Sequence, residues 1–242
     1  MQFRVMSYNI HKCIGSVDRK YRPLRIIETI RHYNPDIVLL QEVDKGVPRS
    51  SYDHQVVLLA DELEYKYHLF QANVTLKNGC YGNAILSHYP LSRHSNIDLT
   101  VPLKKKRRSL ATQVKIKHNG YVRSVKFMNV HLGLAAYERA IQVKKIVNNS
   151  YTTNNPHNLP IILGGDFNDL WQNLCRKVLY ANNFTPVLGK TKTFPSILPS
   201  RALDRMFYRG DLNVINSFAG HTKLTRAASD HLPIIADFSL PL

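Results

Sequence analysis

The chain is poor in cysteine. Its three, Cys13, Cys80 and Cys175, are odd in number and widely spaced, so they form neither a disulfide framework nor a zinc-ligand pattern. A reducing compartment is the simple expectation. With 11 Gly and 12 Pro in 242 residues, collagen-like and low-complexity chains are excluded. No segment approaches the ~20 consecutive apolar residues needed to cross a bilayer. The opening stretch, Met1 to Ile10, has no long apolar run and no small-residue cleavage site, so a cytoplasmic protein is expected. Acidic residues are scarce too: 17 Asp and Glu stand against 33 Lys and Arg, a formal net charge of +16.

Hydrophobic residues make up 44% of the chain, enough for a sizeable core and incompatible with disorder as the main state. Neither a linker nor a repeat of fixed period is visible, so a single domain over 1–242 is expected. A positive field of this size attracts polyanions. Nucleic acid is therefore the expected partner, with an anionic lipid surface as the other candidate. The densest basic run is Lys104-Lys105-Lys106-Arg107-Arg108, which could equally be a solvated loop. No protein partner is inferred, and nothing demands more than a monomer.

Hydrophobic periodicity gives the elements. Gln2 to Ile10 alternates like a strand, and Pro23 opens a helix carrying Leu24, Ile27 and Ile30. Asn34-Pro35 ends that helix, and 36–40 is an apolar run typical of a buried strand, with Glu42 at its end. A helix is predicted over 53–64, then strands near 67–74, 82–88, 93–100, 109–117 and 121–130. Asn119-Gly120 between the last two is a hairpin signal. Helical spacing returns over 135–147, followed by a polar loop and a buried strand from Leu159 to Leu163. A helix at 170–182 and strands near 203–208, 212–218 and 233–238 complete the series. Strands outnumber helices and helices interrupt them, which predicts an α/β fold of two stacked mixed sheets with helices outside.

Polar residues of catalytic type gather at strand ends: Asn9, His11, Glu42, Asn83, His131, Asp166, Asn168, Asp204, Asp230 and His231. Carboxylates and amide oxygens without thiolates suit a hard cation, Mg²⁺ or Mn²⁺. Imidazoles beside such a cation suit phosphate. Metal, oriented water and cationic imidazole are the parts of metal-assisted phosphoester hydrolysis. Each motif alone is also compatible with an ordinary turn or cap; the ordered series is specific.

That series is Ser7-Tyr8-Asn9-Ile10-His11, Gln41-Glu42-Val43, Tyr81-Gly82-Asn83-Ala84-Ile85-Leu86-Ser87, Asn129-Val130-His131-Leu132, Gly165-Asp166-Phe167-Asn168 and Ser229-Asp230-His231-Leu232-Pro233. It resembles the endonuclease/exonuclease/phosphatase superfamily across almost the whole chain, and most of all its small bacterial stand-alone members. Thr193-Phe194-Pro195 followed by Leu203-Asp204-Arg205 supports that closer match.

The resemblance implies a four-layer α/β/β/α sandwich and a divalent-metal-dependent phosphoesterase. It assigns the metal to Glu42, with Asn9 and Asp230 assisting. It implies that Asp166 orients or deprotonates the attacking water, that Asn168 holds water or phosphate, and that His231, oriented by Asp204, stabilises the phosphate. His131 would be a second phosphate ligand or general acid. His11, Asn83, Arg108 and Arg139 are the remaining candidates for phosphate or substrate binding; for Arg139 a helix-packing role is the alternative. Abasic-site endonucleases carry an acidic residue where this chain has His11 and a tyrosine where it has His131. Both differences favour the deoxyribonuclease and phosphatase type of site. A nuclease is the expected activity, with a phosphatase or phosphodiesterase acting on phospholipid headgroups or inositol phosphates as the alternative.

Overall fold

The structure, a computed structural model, describes residues 1–118, 120–155, 159–170 and 174–241. Asn119 of the predicted turn and residues 171–173 of the predicted helix at 170–182 lie outside the described residues.

The first sheet contains β1 (Gln2–Asn9), β2 (Ile37–Lys45), β3 (Tyr67–Thr75), β4 (Cys80–Ser87), β11 (Asn213–Ala219) and β12 (Ile234–Ser239), in the order β11-β12-β1-β2-β4-β3. The second contains β5 (Leu91–Asp98), β6 (Arg108–His118), β7 (Tyr121–His131), β8 (Ile161–Asp166), β9 (Thr185–Pro186) and β10 (Asp204–Arg209), in the order β5-β6-β7-β8-β10-β9. Both sheets are mixed in the same way. Each has one parallel pair at its centre, β1/β2 or β7/β8, and antiparallel neighbours outside it.

The central strands explain the layering. In β2 a continuous apolar run is buried on both faces, as strands enclosed on both sides require. Because successive side chains point to opposite faces, Val38 and Leu40 pack outward with Ile26 and Ile30 of α1 (Pro23–Tyr33) and Leu59 of α2 (Gln55–Glu62). Ile37 and Leu39 face the second sheet and pack with Phe127, Ile162 and Met206. The same alternation runs through β8. Ile162 joins the inter-sheet core, while Ile161 and Leu163 pack with Val143 and Ile146 of α3 (Ala136–Asn148) and with Leu179 of α5 (Leu174–Ala181). Three apolar layers separated by two sheets make the predicted four-layer α/β/β/α sandwich. Leu39 has no exposed surface, so Leu39→Ala costs about 2–5 kcal/mol through lost burial and a residual cavity.

Several details differ from the sequence reading, among them the short strand β9. The polar loop after α3 contains a short helix, α4 (Ser150–Thr153). A further helix, α6 (Lys223–Ala228), is closed by a capping box in which the Thr222 hydroxyl accepts from the Thr225 backbone N–H. Both are too short to show a period. Likewise β2 does not end at Glu42; it runs on to Lys45.

Candidate active site

The parallel pairs place the site. Asn9 ends β1 opposite Gln41 of β2, and His131 ends β7 opposite Asp166, which ends β8. Asp204 opens β10 directly across from Asp166. His131, Asp166 and Asp204 therefore stand in one row across three strands. The two sheets meet at this row, where the Asn9 side-chain amide donates to Asp166 Oδ2 at 3.1 Å.

Glu42 reaches the same end of the sandwich through a bulge. The β2/β4 register passes from Leu40 opposite Ala84 to Val43 opposite Gly82, so Gln41 and Glu42 together oppose Asn83. A bulge of this kind re-aims a side chain that alternation would send to the helical face. Glu42 takes the left-handed region at φ 57, an uncommon conformation for a residue with a Cβ. The disrupted ladder is repaired from the other sheet. The Asn129 amide donates to the Leu40 and Ala84 carbonyls, each at 2.8 Å, and its Oδ1 accepts from Gln41 at 2.8 Å. Buried polar groups of this kind must be paired, and here the pairing also locks the sheets together beneath the site.

His231 lies just before β12. The Ser229 hydroxyl donates to the Asn9 carbonyl at 2.7 Å and accepts from the His231 backbone N–H at 3.2 Å. The His231 ring is held by Asp204 Oδ2 at 2.8 Å from Nδ1, and the same oxygen accepts from the Thr193 hydroxyl at 2.5 Å. The Phe194 ring packs against the imidazole at 4.9 Å between centroids. With Nδ1 engaged, Nε2 faces Asp166 Oδ2 at 3.8 Å, and His131 Nε2 stands 3.5 Å from the same oxygen.

Burial and charge set the protonation of these groups. Burial alone would lower the His231 pKa, but the nearby Asp204 and Asp166 carboxylates outweigh it and raise it to about 10. His131 goes the other way: burial and the positive charge of Arg107 push it well below the usual histidine range. One imidazole is cationic near neutral pH and the other neutral. Asp166 is raised by burial, against the pull of His231, into the range expected of a general base. Burial works to raise Glu42 as well, but His131, Lys12 and His11 hold it down to about 2.

The remaining candidates are placed as follows. The Asn168 backbone N–H donates to Asp166 Oδ1 at 2.9 Å, and its side-chain amide donates to the Leu132 carbonyl at 3.0 Å. His11 Nδ1 lies 3.0 Å from the Ile14 carbonyl and 3.8 Å from Asp230 Oδ1. The Asn83 amide donates to the Arg108 carbonyl at 3.2 Å. Arg108 itself donates to the Ala72 carbonyl at 3.1 Å. Arg139 is buried, with its guanidinium on the Gly133 and Leu134 carbonyls and 3.8 Å from Asp169, where it braces the loop after His131. Sequence reading missed Thr193, Asn129, Lys12 and Arg107 as parts of the site. Three lay inside motifs or runs already singled out, and Lys12 directly follows one.

The donor set fits a hard divalent cation. Its members are carboxylate and amide oxygens and imidazole nitrogens, with no thiolate. Asp230 Oδ1 and Asn83 Oδ1 are buried without a hydrogen-bond partner among the described residues. Asp166, Asp204 and His231 offer ligand atoms all within 4.8 Å of one another, a cluster that could hold a metal ion. The Asp204–His231 hydrogen bond already occupies Nδ1, so that pair is an oriented dyad, and both Asp166 oxygens already accept, from Asn9 and from the Asn168 N–H; the unpartnered Asp230 and Asn83 oxygens, with the Glu42 carboxylate, are the better cation donors.

Comparison with known proteins agrees with this fold. YbhP of Escherichia coli strain K12, described as an uncharacterized protein, is 28% identical over 255 residues, covering 98% of this chain and 96% of its own. A Bacteroides vulgatus endonuclease/exonuclease/phosphatase structure superposes with a TM-score of 0.80 at 18% identity, covering 100% of both chains. The catalytic domain of human Nocturnin superposes with a TM-score of 0.78 at 23% identity, covering 99% of this chain and 95% of that one. These likenesses show the shared fold. The model of the Endonuclease/Exonuclease/phosphatase family matches residues 6–231. Members of that family hydrolyse phosphoesters and generally depend on a divalent metal, and this chain belongs to it.

Proposed function

We propose that the protein is a divalent-metal-dependent nuclease that hydrolyses phosphodiester bonds of DNA or another nucleic acid. The observation that carries this reading is the cationic and aromatic surround of the site. Lys105 Nζ lies 5.1 Å from the centroid of the Tyr81 ring, and the Arg49 guanidinium lies 5.3 Å from it. Tyr81 directly precedes Gly82 and Asn83 on β4. Lys104 Nζ stands 5.4 Å from the Tyr137 ring on α3, so the basic run reaches from β4 to α3. Arg107 acts on His131 through space. These cations, with the exposed Tyr137 ring beside them, suit a chain of phosphates and bases.

The residues divide the work. Asp166 accepts a proton from the attacking water while Asn168 helps fix its position. As the P–O bond to water forms and the bond to the leaving oxygen breaks, charge grows on the phosphoryl oxygens. The His231 cation donates from Nε2 to one of them, with Asp204 and Thr193 holding the ring. Neutral His131 serves as a second phosphate contact; without a charge it is no general acid, and the leaving oxygen takes its proton from water. Glu42, Asn9 and Asp230 would hold Mg²⁺ or Mn²⁺, which supplies charge neutralisation when bound.

The test is incubation of the protein with plasmid, single-stranded DNA and RNA, in Mg²⁺ or in EDTA. Metal-dependent cleavage abolished in Asp166→Asn supports the reading. No cleavage of any nucleic acid, alongside turnover of a phospholipid or inositol phosphate, would replace it with the phosphatase alternative.

A further inference from the structure

We infer that Lys12 is an internal competitor for the cation position at Glu42, so that a divalent metal binds only by displacing its ammonium. The inference rests on the reading that Glu42 serves a metal, and it concerns a residue outside the hydrolytic set.

Lys12 Nζ donates to Glu42 Oε2 in a short contact. The pair is sheltered, with side-chain exposures of 16% and 19% for Lys12 and Glu42. This is not a loose surface bridge; a carboxylate at the mouth of the site already has a cation on it.

The backbone is built to bring the two together. His11, Lys12 and Cys13 occupy the left-handed region in succession, at φ 44, 60 and 60, and Glu42 sits at φ 57. Residues with a Cβ rarely adopt this region, and such strain persists only where the surroundings impose it. Here they do. The Cys13 N–H donates to the Ile10 carbonyl at 2.8 Å, and the Arg22 N–H donates to the Cys13 carbonyl at 2.8 Å. Gln55 joins the turn to β2: its amide donates to the Lys12 carbonyl at 2.8 Å, and its Oε1 accepts from the Asp44 N–H at 2.7 Å. The base of Lys12 is thereby fixed two residues from Glu42.

An ammonium and a divalent ion compete for the same oxygen. The ammonium also offsets the negative charge that Glu42 would otherwise carry alone in a low-dielectric site. Removing it has opposite effects on the two states. The metal-free protein loses a sheltered partner, while the metal gains an unoccupied carboxylate. A purely structural lysine would lower the metal-free melting temperature when removed without tightening metal binding, so the two readouts together distinguish the roles.

The experiment is calorimetric titration with Mn²⁺ and Mg²⁺, without substrate, of the wild type, Lys12→Met, Lys12→Asn, Lys12→Arg and Glu42→Gln, each paired with thermal melting. Asn tolerates the left-handed backbone and serves if the Met variant does not fold. Expected are metal binding tighter by on the order of tenfold in Lys12→Met or Lys12→Asn, a lower metal-free melting temperature, and recovery of that loss at saturating Mn²⁺. Lys12→Arg should stay close to wild type. Unchanged or weaker binding in both neutral variants overturns the inference. So does wild-type metal binding that Glu42→Gln leaves unaltered, because Lys12 would then compete for nothing. Tighter binding in the neutral variants without any nucleic-acid cleavage would uphold the role of Lys12 and reject only the nuclease.

Discussion

Asp204 Oδ2 is shared between two donors, His231 Nδ1 at 2.8 Å and the Thr193 hydroxyl at 2.5 Å. The threonine turns the carboxylate, and the carboxylate turns the imidazole, so that Nε2 faces Asp166. Asp204→Asn should lower kcat by roughly 10²-fold or more, since it removes the charge that supports the cationic ring. Thr193→Val, which removes the hydroxyl's hydrogen bond to the Asp204 carboxylate and the one it accepts from the Asp204 N–H, each worth about 1 kcal/mol, should lower kcat by roughly five- to tenfold and leave KM nearly unchanged. Steady-state kinetics on one cleavable phosphodiester checks both; an effect of Thr193→Val on KM alone would contradict the positioning role.

The same dyad makes stability depend on pH. The folded His231 pKa, about 10, is above its ordinary value of 6.5. Its stabilising contribution is therefore complete below about pH 6.5 and lost as pH rises toward 10. Metal-free protein should melt at progressively lower temperature over that interval, and His231→Gln should flatten the slope. Thermal melts across pH 6 to 10, with wild type and variant in parallel, decide this; equal slopes would rule out the raised pKa.

Much of this was legible in the sequence because it depends on local pattern. The double burial of β2 and β8 shows as continuous apolar runs, and most strands follow from alternation and turn residues. Convergence of Asn9, His131, Asp166, Asp204 and His231 was expected only through the ordered series of motifs, since spacing along the chain says nothing of proximity across sheets. The bulge at Gln41–Glu42 was not legible: its cause is a register shift against Asn83 and repair by Asn129 from the other sheet. Nor was the pairing of Lys12 with Glu42, which depends on a run of left-handed residues that no glycine announces.

Gly165 allows the close approach of β7 and β8 beside Asp166. It sits at φ 146, and a Cβ there would lie 1.9 Å from the Val130 carbonyl oxygen. Gly165→Ala should destabilise the protein by at least about 2 kcal/mol. Urea denaturation measures it; a change within about 0.5 kcal/mol would mean the strands can part without cost.

Glu42→Gln removes a carboxylate charge from the cation site while keeping its shape. The metal concentration giving half-maximal activity should rise by roughly tenfold or more, with a smaller effect on kcat at saturating metal. Activity titrations in Mg²⁺ and in Mn²⁺ check this, and an unchanged requirement would remove Glu42 from the metal site.

Neutralising Lys104, Lys105 and Lys106 together should weaken nucleic-acid binding uniformly across sequences and make the salt dependence shallower by up to about three phosphate contacts. Binding measured from low to physiological salt, with an inactive Asp166→Asn background, reads the slope directly. A parallel line displaced by a constant factor would show that these side chains do not meet phosphates.

The most direct test of the central claim is the cleavage rate of wild type, His231→Ala and Asp166→Asn on one nucleic-acid substrate, each in Mg²⁺ and in EDTA. The account predicts metal-dependent wild-type cleavage and a loss of roughly 10²-fold or more in each variant. Cleavage that survives EDTA, or variants that cut at the wild-type rate, would contradict it.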